Sequence, residues 1–326
     1  METNEHSSDL AYETIDVACY CPDEDARSLL RQTIANAGFR RVQLHASVHD
    51  LMRALDNATI EFLILDIDKT PDKICQIIRE IRGGLLGSDP YVVILVLASD
   101  PEQETVKRAF EAGSDGLIAK PLMANDLIEH ATKLVRGRRN FVVTTDYVGP
   151  DRRAPGREHP ADLPTLQVPN ALRHKAAGDP EAAADAERLT AARRVMREHL
   201  IIRIAARIND QVLRLPSQQW GAKPASVPAS DQKDMGEHVR SMAILINEAN
   251  LDDLKPLAES MVAITDTIVV SGRTSRRSLA ILKLQSQAII DALESDDGRT
   301  ELISKALRKT SETLEDETEA EPRLFD

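Results

Sequence analysis

Between residues 15 and 135 the chain alternates five times between a short apolar run and a longer amphipathic stretch. That alternation limits the possible folds more than any other feature. A strand buried on both faces of a parallel sheet reads as a continuous apolar run, and reaching the next parallel strand requires a crossover, usually a helix. The runs lie at 15–20, 41–45, 61–67, 91–97 and 116–119. Helix-boundary signals mark the stretches between them. Gly38 closes the first, Ser47 with Asp50 three residues on opens the second, Gly83-Gly84 closes the third and Gly113 the fourth. The predicted helices are therefore 25–37, one opening at Ser47, 73–82, 101–112 and 125–135. The fold class expected is α/β, a doubly wound five-stranded parallel sheet, followed by a linker and an all-α C-terminal domain.

The rest of the chain divides by composition. Residues 1–12 are polar and acidic and are expected to be disordered. The α/β domain takes 13–137. In 138–180 prolines recur every few residues, which removes backbone donors and restricts neighbours, so an extended Pro/Arg-rich linker is expected. A second reading gives Arg152, Arg153, Leu163, Leu166 and Val168 a docking role within it. From 181 to 314 the pattern is helical, with breaks near 216–230, 250, 271–272 and 296–298. Leu251, Leu254, Leu257, Met261, Ile264 and Ile268 recur at three- or four-residue spacing, as the core of a bundle or a dimerisation face requires. The acid-rich end, 315–326, is expected to be disordered.

The 326 residues carry 41 Lys and Arg against 53 Asp and Glu, a net charge of -12. Such a molecule does not attract duplex DNA or an anionic membrane as a whole, so proteins or small ligands are the expected partners. Three cysteines, Cys19, Cys21 and Cys75, have neither a paired framework nor zinc spacing, and the longest apolar run is too short to span a bilayer. A cytoplasmic protein is expected.

In an open parallel sheet, ligands gather beyond the carboxyl ends of the strands. After the first strand the chain reads Cys21-Pro22-Asp23-Glu24-Asp25, without the glycines of a phosphate cradle, and a helix opening on acids repels phosphate. The third strand ends at Asp66, the fourth in Leu97-Ala98-Ser99 and the fifth in Lys120-Pro121. A helix ends in Phe110-Glu111-Ala112-Gly113-Ser114-Asp115-Gly116. By this order and spacing, residues 13–137 resemble the receiver domain of two-component response regulators.

That resemblance implies a CheY-like, flavodoxin-type fold with Asp66 as phosphoacceptor, Lys120 as the phosphoryl-contacting cation and a cis Lys120–Pro121 bond. It also implies Mg²⁺, held by an acidic pair just after the first strand. Here the aligned positions are Cys21 and Pro22. Asp23, one residue late, Asp66 itself and Asp68 are the remaining candidate metal ligands, so Mg²⁺ binding is expected to be weak or absent. The family's hydroxyl at the end of the fourth strand is Leu97, with Ser99 two residues late, and its aromatic in the fifth strand is Leu117.

In the helical region His199 and His238 lack the Lys-Gly surroundings of a phosphotransfer histidine and are read as ordinary surface or satisfied side chains. Arg188, Arg193, Arg194, Arg197, Arg203 and Arg207 read as a solvated helix side paired with Glu187, Glu198 and Asp210, with a phosphate-binding face as the second reading. Arg273, Arg276, Arg277 and Lys283 form a local basic cluster without a helix-turn-helix pattern. No catalytic motif is present and no enzymatic activity is expected. The expectation is a response regulator of atypical kind, a pseudo-receiver acting as switch or adaptor through protein contacts of its helical domain. The alternative is a conventional regulator phosphorylated on Asp66, extending to a DNA-binding transcriptional regulator. The partners expected are a sensor histidine kinase or other signalling protein and a second copy in a homodimer.

Overall fold

The five apolar runs form the sheet that their spacing predicts. They are β1 (Asp16–Tyr20), β2 (Arg41–His45), β3 (Phe62–Asp66), β4 (Val93–Ala98) and β5 (Gly116–Ala119), all parallel in the order β2-β1-β3-β4-β5. The structure is a computed structural model and describes residues 10–100, 103–153, 165–214, 228–272, 274–295 and 298–315. The chain splits into two units, Met1–Arg193 and Arg194–Asp326.

The crossovers are α1 (Glu24–Asn36), α2 (Val48–Asn57), α3 (Pro71–Arg82), α4 (Gln103–Glu111) and α5 (Ala124–Gly137). Successive strand residues point to opposite faces, so each strand supplies two cores. Cys19, Ile64 and Leu95 pack with Leu30 and Ile34 of α1 and Leu127 of α5. Ala18, Leu65 and Val96 pack on the other face with Leu51 of α2, Ile78 of α3 and Ala109 of α4. The helix starts agree with their side chains: Asp23 accepts the Ala26 N–H at 3.0 Å, and Ser47 accepts the Asp50 N–H at 3.1 Å.

The described parts of 138–180, residues 138–153 and 165–180, are not the extended linker that the prolines suggest. β6 (Phe141–Val143), β7 (Val148–Pro150) and β8 (Thr165–Leu166) make an antiparallel sheet in the order β7-β6-β8, and α6 (Ala171–Ala177) follows. Of the described prolines, Pro150 ends a strand, where a missing N–H does little harm, and the Pro169 carbonyl accepts a hydrogen bond from Arg138. Burial supplies what the proline count hides. Phe141 is fully buried, edge-on to Tyr91 and between the guanidinium groups of Arg82 and Arg138, at 5.2 and 4.9 Å. Leu172 and Ala176 of α6 join the core beside α1 and α5, and Asn170 caps α6 through the Arg173 N–H.

Two smaller expectations change with it. Leu10 to Tyr12 were expected to be disordered, yet Tyr12 stacks on Phe39 and the Ala11 N–H donates to the Ala176 carbonyl at 2.9 Å. Arg152 does dock, but on its own domain, donating to the Ser114 and Asp115 carbonyls and lying 4.1 Å over the Phe110 ring. Arg153 pairs with Asp151, and Leu166 lies opposite Phe141 in the small sheet. Residues 1–9 and 316–326, as well as Leu163 and Arg273, lie outside the described residues.

α7 (Ala186–Arg214) carries the chain from the first unit into the second, where α8 (Ala229–Glu248), α9 (Lys255–Ser271), α10 (Arg276–Glu294) and α11 (Arg299–Glu315) follow. The breaks at 250 and 271–272 fall where the sequence places them, with Asn250 and Gly272 both in the left-handed region, at φ 53° and 63°, whereas 215–227 and 296–297 lie outside the described residues. α8 and α9 run antiparallel, and Arg240 pairs with Asp266 across them at 2.8 Å. The stripe of Leu254, Leu257, Met261 and Ile268 is buried with Val239, Met242 and Leu282 inside this unit. It belongs to the unit's own core, as the bundle reading expects, while Val269 and Val270 at the end of α9 are exposed.

Candidate functional site

The parallel register sets Asp66 opposite Leu97 and Ala98 opposite Ala119, so β3, β4 and β5 end at one level. Asp66 at the end of β3, with Asp68, Ser99, Lys120 and Cys21 just beyond the strand ends, forms the site. Lys120, which precedes Pro121 across a cis peptide bond, places its Nζ 2.5 Å from Asp66 Oδ2 and 2.7 Å from Asp68 Oδ2. Asp66 Oδ1 accepts the Asp68 N–H at 3.1 Å, and Oδ2 accepts the Cys21 thiol at 3.4 Å. Ser99 closes the ring on Asp68, donating its hydroxyl at 2.5 Å and its N–H at 2.9 Å.

These contacts hold the charges in place. Burial pulls the Lys120 ammonium down, but its bonds to Asp66 and Asp68 outweigh that, and its pKa is raised overall. Burial pushes the Asp68 carboxyl up, while hydrogen bonds from Lys120 and Ser99 prevail and leave it below the ordinary carboxylate value. Burial, and then the charge of Asp66, push the Cys21 thiol up to about 11, so it is a neutral thiol near pH 7.

Asp23 does not join them. Its carboxylate caps α1 and pairs with Lys69 at 3.1 Å, both exposed, where an acid also favours the positive end of the helix. Among the described residues no group of three or more His, Cys, Asp or Glu side chains converges. Hard divalent cations take several oxygen ligands. At the positions of the family's acidic pair stand a neutral buried thiol and a proline ring without a donor atom, and both remaining carboxylates are taken by Lys120. The donor set does not fit Mg²⁺, and the Asp23 carboxylate is engaged as the α1 cap and with Lys69.

Leu97, at the position of the family's hydroxyl, is 2% exposed, while Leu117 in β5 is half-buried. His238 Nδ1 lies 3.4 Å from Gln211 Oε1, and burial lowers the pKa of His199. Of the arginine face, Arg194 pairs with Glu198 at 3.0 Å as its spacing predicts, but Arg193 donates to the Ser88 carbonyl and Arg197 pairs with Glu248. Sequence reasoning missed the Cys21–Asp66 contact and the pairing of Lys120 with Asp68. The signal was present in the second case, since Asp68 follows Asp66 by two residues at a strand end facing Lys120.

A strand order of 2-1-3-4-5 with an Asp and a Lys facing each other at its carboxyl edge is the arrangement that the resemblance to receiver domains implies. Residues 22–132 match the model of the response regulator receiver domain, and this part of the chain is a receiver domain. Receiver domains are generally signalling domains without enzymatic activity of their own; they typically bind Mg²⁺ and interact with histidine kinases and other signalling proteins. Among solved structures, the chemotaxis protein CheY4 of Vibrio cholerae is 16% identical over 36% of this chain and 97% of its own, with a TM-score of 0.32. A putative pilus assembly-related protein from Burkholderia pseudomallei is 18% identical over 37% and 90%, with a TM-score of 0.33. Full-length FixJ from B. japonicum is 13% identical over 90% and 98%, with a TM-score of 0.34. No curated protein matches the chain. Among the described residues no helix is long and apolar enough to cross a membrane.

Proposed function

We propose that this protein is a non-enzymatic signalling adaptor of the response-regulator type, in which the receiver keeps its fold but not metal-assisted phosphoryl transfer. One observation carries the reading: Lys120 is bonded to both Asp66 and Asp68, and a neutral Cys21 thiol, where the family has an acid, lies against Asp66. An aspartate attacking a phosphoryl group must face it with cations free to take up the charge that develops. Here the one lysine is already neutralised by two carboxylates. The output would then run through protein contacts, with the helical residues of the second unit as the binding domain, a histidine kinase or another signalling protein as partner, and no DNA contact. Three buried free cysteines favour a reducing, cytoplasmic setting.

Intact mass after incubation with acetyl phosphate and Mg²⁺ tests this. The wild type is expected to gain nothing, whereas Cys21→Asp combined with Pro22→Asp, which restores the acidic pair, gains one phosphoryl group that Asp66→Ala removes. A gain by the wild type that disappears in Asp66→Ala would establish the conventional, phosphorylated regulator instead. The observation favouring that rival is that Asp66 and Lys120 still meet at 2.5 Å.

A further inference from the structure

A cavity of about 360 Å³ lies beside the Asp66–Lys120 pair, between α1 and the segment after β5. One wall is Ala26, Leu29 and Leu30 of α1, and the facing wall is Leu97 with Pro121 and Leu122. Asp66, Lys120 and Cys21 stand at its inner end. Two of the positions at which this chain departs from the receiver pattern, Cys21 for an acid and Leu97 for a hydroxyl, both line this space. Each exchange replaces a strongly hydrated group with an apolar or neutral one. Together they change a wet phosphoryl site into the floor of an apolar pocket. Its volume falls at the small end of ligand pockets, which run from roughly 300 to 1,000 Å³ and combine apolar walls with a few polar groups.

We infer that this cavity binds a small, uncharged, mostly apolar molecule of one or two rings bearing a hydrogen-bonding oxygen. The polar end follows from the inner groups. The Lys120 ammonium has three N–H bonds; Asp66 and Asp68 take two, which leaves one for a carbonyl or hydroxyl oxygen. The lack of charge follows from the same groups. The charged groups lining the cavity are one carboxylate, Asp66, and one ammonium, Lys120, already paired with each other, so neither an anionic nor a cationic end finds an uncompensated charge. Arg27 donates to the Cys21 carbonyl at 2.9 Å and is not a lining side chain, so it does not reverse that balance. The outer end is apolar, with Leu29 56% exposed at the rim. A ligand that covers Leu29 while filling the space against Leu30 and Leu122 removes apolar surface from water on both sides. Bound there, it would span α1 and the Lys120–Leu122 segment and hold them together, giving the receiver an input other than phosphorylation.

The inference deepens the proposed loss of metal-assisted transfer, and the two readings fail separately, because one is read by mass and this one by fluorescence. The probe is prodan, a neutral naphthalene ketone whose emission shifts to the blue in apolar surroundings, titrated into the full-length protein. The anionic 8-anilinonaphthalene-1-sulfonate, of similar size, serves as the charged comparison. Saturable one-to-one binding of prodan is expected, weakened at least about tenfold by Ala26→Phe, which fills the cavity from α1. The sulfonate should bind more weakly at this site. Leu29→Trp, placed at the exposed rim, is the second variant should Ala26→Phe lose its circular dichroism spectrum. The inference is overturned if the wild type shows no saturable binding, if both variants bind prodan as it does, or if the sulfonate binds the tighter of the two in an Ala26→Phe-sensitive way.

Discussion

Arg82 donates to Asp115 at 2.8 Å, and each side chain is only 1% exposed. Arg138 takes both oxygens of the same carboxylate, at 2.7 and 3.0 Å, while Arg82 also donates to the carbonyls of Gly113, Pro90 and Val92. A buried carboxylate between two guanidinium groups ties α3, the turn before β5 and the segment that leads into β6. Removing one partner of a buried pair strands the others and costs about 3–5 kcal/mol. Asp115→Ala is therefore expected to lower the stability of the first unit by that order in urea unfolding followed by circular dichroism. A loss below about 1 kcal/mol, the scale of an exposed pair, would show that the cluster does not hold this region together.

The same carboxyl sets an acid limit. Burial raises its pKa, but the charges of Arg138 and Arg82 outweigh that and keep it below the ordinary value of 3.8. A group lowered on folding contributes stability that is present above its unfolded pKa and is lost as pH falls through its folded one. Between 3.8 and that lower value the wild type should lose stability more steeply than Asp115→Asn. Parallel acid limbs for the two proteins in pH-dependent urea midpoints would count against the assignment.

Cys21 should resist alkylation near neutral pH, because only the thiolate reacts and burial holds this thiol neutral up to about 11. Peptide-mapped iodoacetamide labelling is expected to rise with pH and to quicken in Asp66→Asn, which removes the negative charge beside the sulfur. Labelling as fast as that of a free cysteine would mean that the thiol is not held against Asp66.

Gly113 stands at φ 103°, and a Cβ there would lie 2.7 Å from the Val148 carbonyl oxygen and 3.0 Å from Arg82 Cγ. Gly113→Ala combines a left-handed backbone with a clash against β7, and a destabilisation of about 1–3 kcal/mol or more is expected in thermal unfolding. An unchanged midpoint would show that β7 does not press on this turn.

Leu257 and Met261 are both fully buried within the helical unit. Leu257→Ala is expected to destabilise that unit by about 2–5 kcal/mol through lost burial and the cavity left behind. Sedimentation should show no change of mass that precedes unfolding. A folded protein that merely changes its oligomeric state would return this stripe to a subunit interface.

The sheet was legible because it is built from local signals. Continuous apolar runs, capping residues such as Ser47 and glycines after helices act over a few residues, and β1 to β5 lie within one or two positions of their predicted places. Asp66 and Lys120 were legible for a related reason: each terminates a strand, and strand ends in a parallel sheet share one edge. The segment after α5 was not. Its prolines are counted along the chain, whereas Phe141 is held by Arg82 and Tyr91, which are far from it in sequence. Arg82 looked like an ordinary basic residue in the last turn of a helix, and nothing local marks it as fully buried.

The sequence by itself determined the five βα repeats, the helical second half and the pairing of a strand-end aspartate with a lysine, since each depends on periodicity or on position within an element. Only the tertiary structure decided that Lys120 is shared by Asp66 and Asp68, that Asp23 turns to cap α1, that Cys21 meets Asp66, and that Leu97 lines a cavity with α1. Those are contacts between side chains on different strands and helices. Their geometry follows from packing, to which distant parts of the chain contribute at once.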